Sequence, residues 1–108
     1  MICRTDFGTY DVDIFVSRYC DNGNLAIQLI SPTEGPFATI TVNLSAGQLP
    51  EDCAFVDTNN CPWAPDFIAE HGLGRCTCMI GASGYCTYPM YEFDVDKLDN
   101  LNREREGR

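Results

Sequence analysis

The sequence predicts an α+β fold: an antiparallel sheet of three to five strands with one short central helix and a C-terminal helix. Three observations carry that expectation. Short β-branched runs alternate apolar with polar residues through the first half, Asn-Gly and Pro/Gly clusters separate those runs, and helical spacing appears in two later stretches. At 108 residues, 44% hydrophobic and 21% charged, the chain suits one domain and excludes wholesale disorder or a multi-domain enzyme.

Tyr10 to Tyr19 reads as the first strand, with Tyr10, Val12, Ile14 and Val16 on one face and Asp11, Asp13, Phe15 and Ser17 on the other. Asp21-Asn22-Gly23-Asn24 supplies a hairpin turn, because Asn-Gly accepts positive φ angles. Leu25 to Ile30 is the second strand, and the cluster Ser31 to Pro36 turns the chain into a third over Phe37 to Leu44. Ala54-Phe55-Val56 is a short fourth strand or an edge. A helix begins near Pro62, capped by Asn60 or Cys61, with Trp63, Phe67 and Ile68 as its apolar stripe and Gly72 and Gly74 as its exit. Arg75 to Gly84 has no period and reads as a structured loop. Tyr85 to Asp94 is a strand that Pro89 confines to an edge or an end, and Asp94 to Asn102 is a capped helix with Val95, Leu98 and Leu101 turned inward. On this reading residues 1–102 are a single acidic α+β domain and residues 103–108 a charged, solvated tail.

Acidic side chains number 16 against 7 Lys plus Arg, a formal net charge of -9. Residues 1–102 alone hold 14 acids and 4 bases, and Lys97 is the only lysine. Such a balance penalises direct contact with a phosphate backbone and favours basic partners. Asp11, Asp13, Asp94, Asp96 and Asp99 are the residues expected to meet such a partner, as a basic protein and with no direct nucleic acid or membrane contact. The chain is expected to be a monomer. The longest apolar stretch falls far short of the ~20 residues that span a bilayer. Met1-Ile-Cys-Arg-Thr-Asp has no export signature, so a reducing cytoplasm is expected.

Seven cysteines cannot all pair within one chain, so at least one is a free thiol or a ligand. Zinc held structurally by thiolates and an imidazole is the sharpest chemical possibility, because a small domain gains folding free energy from such a clip. Cys76 and Cys78 lead the ligand set, Cys61 follows, and Cys86 or His71 is the fourth. The helix between Cys61 and His71 separates them by about 15 Å, so one mononuclear site takes one of the two. Cys3, Cys20 and Cys53 are assigned to buried or merely free thiols. Catalysis has little to rest on: His71 is the only imidazole and sits where a cation complements a helix C-terminus, and Gly81-Ala-Ser-Gly84 lacks the Gly-Lys-Ser/Thr ending of a phosphate loop. No catalytic residue is assigned and no enzyme activity is expected.

The stretches Gly23 to Leu29, Pro36 to Leu44, Phe55 to Trp63, Gly72-Leu73-Gly74 and Gly84 to Pro89 together resemble a bacterial family of unknown function, small acidic proteins of phages, plasmids and conjugative elements. The resemblance implies an anti-defence protein, and in particular a type II-A anti-CRISPR protein, possible metal included. Such a protein binds a type II effector nuclease and blocks guide or target DNA loading without turnover. The alternative is a non-catalytic accessory that binds a basic replication or conjugation protein of the element.

Overall fold

A computed structural model describes residues 1–44 and 47–107. The chain opens with a hairpin of β1 (Ile2–Thr5) and β2 (Gly8–Asp11), then forms a meander of β3 (Asp13–Arg18), β4 (Leu25–Ser31) and β5 (Gly35–Thr39). A third sheet has the order β6 (Thr41–Val42), β7 (Cys53–Val56), β9 (Cys86–Phe93) and β8 (Gly74–Ser83). Helix α1 (Ala64–Glu70) lies between β7 and β8 in the chain, and α2 (Val95–Glu106) follows β9. Every strand pair is antiparallel.

The first hairpin of the meander follows the alternation of its sequence. Asp13 pairs with Ile30 and Arg18 with Leu25, while Gly23 takes φ 74° in the turn. Along β4 the inward set Leu25, Ile27 and Leu29 is buried, and Ile14 faces it from β3. The predicted single strand Tyr10 to Tyr19 is divided at the fully buried Val12 between β2 and β3, which lie in different sheets.

The predicted strand Phe37 to Leu44 is divided in the same way, at Ile40. Its amide donates to the Ile27 carbonyl (3.0 Å) and its carbonyl accepts from the Asp57 amide (2.8 Å), so one buried residue joins the meander to the third sheet. The Thr41 hydroxyl accepts from the Ile27 amide at 3.1 Å and seals the corner. Strands that switch sheets turn corners of this kind. Periodicity cannot locate the switch, because both halves keep the same apolar alternation.

Two further differences lie in the third sheet. Arg75 to Gly84, expected as a loop, is most of β8, the longest strand of the described residues. Most of its side chains are exposed and its register against β9 slips between Cys76 and Ile80, so no apolar face marks it in the sequence. The strand over Tyr85 to Asp94, expected at an edge or an end, is interior, between β7 and β8. Pairing with β7 stops at Phe55 opposite Met90, one residue short of Pro89, whose missing N–H would end that ladder.

Helix α1 starts later than expected. Trp63 rather than Asn60 or Cys61 is its N-cap, no side chain caps it, and Pro65 and Asp66 fill its first turn. Gly72 at φ 60° ends it, with the Leu73 amide returning to the Ile68 carbonyl at 2.9 Å. Helix α2 has the expected cap, the Asp94 carboxylate accepting from the Lys97 amide at 3.1 Å.

The boundary expected at residue 102 falls inside α2, whose helical residues run to Glu106, with Arg103, Glu104 and Glu106 exposed. Packing on β3 extends the helix. The Asn102 side-chain amide accepts from the Val16 N–H (3.2 Å) and donates to the Val16 carbonyl (3.4 Å), standing in for a neighbouring strand at the sheet edge. The Arg105 guanidinium lies 4.9 Å from the Phe15 ring centroid. Leu98 is fully buried in the main core with Ile14, Ile27, Leu29, Val56 and Ile68. Leu44, Cys53, Phe55 and Met90 form a smaller cluster.

Candidate functional site

The five acids expected to meet a partner lie on or beside α2. Asp94 is its cap, and Asp96 and Asp99 are exposed on its surface. Asp11, at the end of β2, and Asp13, at the start of β3, line a cleft of about 480 Å³ together with Glu104 of the helix. Glu104 lies beyond the expected boundary at 102, so spacing alone does not group it with these acids. The bases of α2 are engaged locally: Lys97 Nζ donates to the His71 carbonyl (2.7 Å), Arg103 donates to Asn100 (3.5 Å), and Arg105 donates to Asn102 (3.3 Å) and pairs with Glu106. Acids still outnumber bases on this side: Asp11, Asp13, Asp94, Asp96, Asp99, Glu104 and Glu106 exceed Lys97, Arg103, Arg105 and the Met1 amino group, which pairs with Asp11 at 3.1 Å, so its net charge is negative.

The expected zinc ligands are spread out. Cys61 is buried and its Sγ donates to the Thr39 carbonyl at 3.7 Å. His71 is the C-cap of α1, and its Nε2 lies 2.7 Å from the Ile2 carbonyl, tying α1 to β1. Cys76 and Cys78 are exposed on β8, Cys78 with φ 69° where the register slips. Cys86 is opposite Ser83 while Cys76 is opposite Tyr91, which puts them roughly 17 Å apart along the hairpin. Among the described residues the group of three ligand atoms within 4.8 Å of one another is a different one, Asp52, Cys53 and Glu92. Its donors already serve one another and Arg75: Cys53 Sγ donates to Asp52 Oδ1 (3.5 Å), and Arg75 holds Glu92 at 2.8 Å. It reads as a polar network at the sheet surface.

Burial sorts the thiols chemically. It pushes Cys3 up to about 11, with Cys61 and Glu70 adding to the rise. Cys53 is pushed up to about 11 by burial and by its hydrogen bond to Asp52, and burial raises Cys61 as well. Cys20, Cys76 and Cys78 are exposed. Iodoacetamide at neutral pH is expected to label Cys20, Cys76 and Cys78 promptly, and Cys3, Cys53 and Cys61 only on unfolding. Peptide mapping by mass spectrometry reads the order, and prompt labelling of Cys3 or Cys61 would contradict the packing described.

The same thiols predict an alkaline limit. Their folded pKa lies above the unfolded value near 9, so the folded state holds more protons between pH about 9 and about 11. Stability is full below that window and falls through it, on the order of 2 kcal/mol for each of Cys3 and Cys53. Thermal unfolding against pH should show the decline, with a shallower slope in Cys3→Ala.

A second concave surface was not anticipated from the sequence. Phe7, Tyr10, Phe37 and Trp63 line a cleft of about 590 Å³ between the first hairpin, β5 and the approach to α1. The only sequence signal is Phe7, an aromatic residue between Asp6 and Gly8 in a turn.

Fold and surfaces together define an acidic α+β domain built from three small antiparallel sheets. Residues 13–106 match the family described as Domain of unknown function (DUF4313), and the chain belongs to that family. No curated protein and no solved structure matches it. Among the described residues, no helix is long and apolar enough to cross a membrane.

Proposed function

We propose that this chain is a non-catalytic anti-defence protein of a mobile element, acting in the host bacterial cytoplasm by stoichiometric binding to a type II CRISPR effector nuclease. The observation that carries the reading is the acidic side of α2: Asp94, Asp96 and Asp99 along the helix, and Asp11, Asp13 and Glu104 around one cleft. A net charge of -9 favours a basic protein surface, such as one that otherwise holds guide or target nucleic acid. Occupying that surface blocks loading without any bond being made or broken.

The test is affinity for purified guide-free effector at low and high salt. Binding should weaken as ionic strength rises, because exposed charges are screened beyond about 10 Å at 0.1 M. The combined variant Asp96→Asn, Asp99→Asn and Glu104→Gln should weaken it roughly tenfold at low salt, with little change in thermal stability. Salt-independent binding, or full affinity in the triple variant, would sink the mechanism. Capture of a replication or conjugation protein of the element in place of the effector would replace the partner and keep the acidic side.

A further inference from the structure

We propose that the cleft lined by Phe7, Tyr10, Phe37 and Trp63 is an aromatic receptor for a cationic side chain, arginine or lysine, presented by a basic segment of a partner protein. The inference goes beyond the acidic side of α2 and shares only Asp11 with it.

Geometry supplies the first argument. The Tyr10 and Phe37 ring centroids are 5.0 Å apart with planes at 51°, and those of Phe37 and Trp63 are 6.0 Å apart at 58°. The series continues inward through Trp63 and Phe67, edge to face at 6.5 Å. Phe67 is buried core, whereas Phe7 is 92% exposed and Tyr10 38%. Aromatic packing therefore begins in the core and ends in an open cleft, with a phenylalanine held at its mouth in water. The turn fixes the Phe7 backbone: its amide donates to the Thr5 hydroxyl (3.1 Å), and the Tyr10 hydroxyl donates to its carbonyl (3.4 Å).

Charge supplies the second argument and selects the occupant. A neighbouring cleft of about 800 Å³ shares Tyr10 and Phe37 and adds Asp11 and Glu34 to its lining. Among the described residues neither lining includes a lysine or an arginine, and because the Met1 amino group pairs with Asp11 Oδ1 at 3.1 Å, Glu34 is the carboxylate that supplies the unneutralised charge. Ring faces attract cations through their quadrupole, and carboxylates alongside reinforce that attraction. An anion would be repelled, and a purely apolar group would make no use of Glu34. Arginine and lysine fit both halves, since their alkyl stems lie along apolar surface while the charged head meets rings and carboxylates. The two clefts join through Tyr10 and Phe37, which suits an extended segment better than a single small cation.

Trp63 is the only tryptophan, so its fluorescence in the full-length protein reports on the cleft directly. A short capped peptide containing arginine should give a saturable change, and the same peptide with neutral citrulline should bind roughly tenfold more weakly. Tyr10→Leu and Phe7→Ala should each weaken the arginine peptide roughly fivefold. Phe7→Ala removes a ring that is almost wholly in solvent, so it keeps the test valid should Tyr10→Leu misfold. The triple variant of α2 should retain the peptide's affinity, which separates this cleft from the acidic side. Equal affinity for the arginine and citrulline peptides, or unchanged affinity in Phe7→Ala, would overturn the proposal. Tetramethylammonium binding as tightly as the peptide would also overturn it, by making the cleft a receptor for small cations.

Discussion

Truncation of Leu98 to alanine is expected to lower the stability of the domain by roughly 2–5 kcal/mol. Leu98 is fully buried and is the one α2 side chain wholly inside the main core, beside residues from both larger sheets. Its removal takes away apolar burial and leaves a cavity that sheets on either side cannot close. A domain of this size holds only about 5–15 kcal/mol in total. The midpoint of thermal unfolding should therefore fall by roughly 10 °C or more. Asp99→Asn, one residue along and exposed, serves as the control and should change stability by no more than about 0.5 kcal/mol. A Leu98→Ala protein as stable as the parent would mean that α2 is not docked as described. The acidic side would then have no fixed geometry, because Asp96, Asp99 and Glu104 keep their positions only while the helix stays on β3.

Gly74→Ala should be the most damaging of the glycine substitutions, at roughly 1–3 kcal/mol or more. A Cβ there would lie 2.6 Å from the Glu92 carbonyl oxygen and 3.0 Å from Phe93 Cα, both backbone atoms of the paired strand. Relief requires β8 and β9 to separate where α1 leads into the sheet and β9 leads into α2. At Gly81 the added atom would meet Leu44 Cδ1 and Phe55 Cε1 at 2.7 Å, and those side chains can shift within the smaller core. At Gly84, φ 60° is the obstacle and nothing lies within 4 Å, so alanine there should cost about 1 kcal/mol of backbone strain. Urea unfolding of the three variants should rank Gly74→Ala above both others. A Gly81→Ala or Gly84→Ala protein less stable than Gly74→Ala would show that β8 and β9 approach each other differently.

How much was legible in the chain depends on where each element finds its partners. The β3–β4 hairpin was readable because Asn22-Gly23 and the alternation of Leu25, Ile27 and Leu29 are local signals that agree with the final packing. Helix α2 was readable as far as Asn102, since Asp94 caps it and Leu98 anchors it. Its last turn was not, because Arg103 to Glu106 has no apolar pattern, and Arg105 is held by Phe15, distant in sequence. Strand β8 was invisible for a related reason: its order comes from hydrogen bonds to β9, which leave no imprint on exposed side chains. The acidic residues were identifiable by composition, but their gathering around α2 required the β3–α2 contact. The aromatic cleft combines residues from the first hairpin, β5 and the segment before α1, and no spacing rule links them.

The sequence by itself determined the class of the protein: a small α+β domain with strong acidic excess, a tight hairpin, two helices and an odd number of cysteines that cannot all pair within one chain. Those properties follow from charge, side-chain volume and turn chemistry, which act over a few residues. Tertiary structure decided where the chain changes sheets at Val12 and Ile40, which cysteines are shielded, and how the carboxylates and aromatic rings are distributed over two different clefts. Each of those outcomes depends on contacts between segments far apart in the chain, where burial and backbone pairing override local preference.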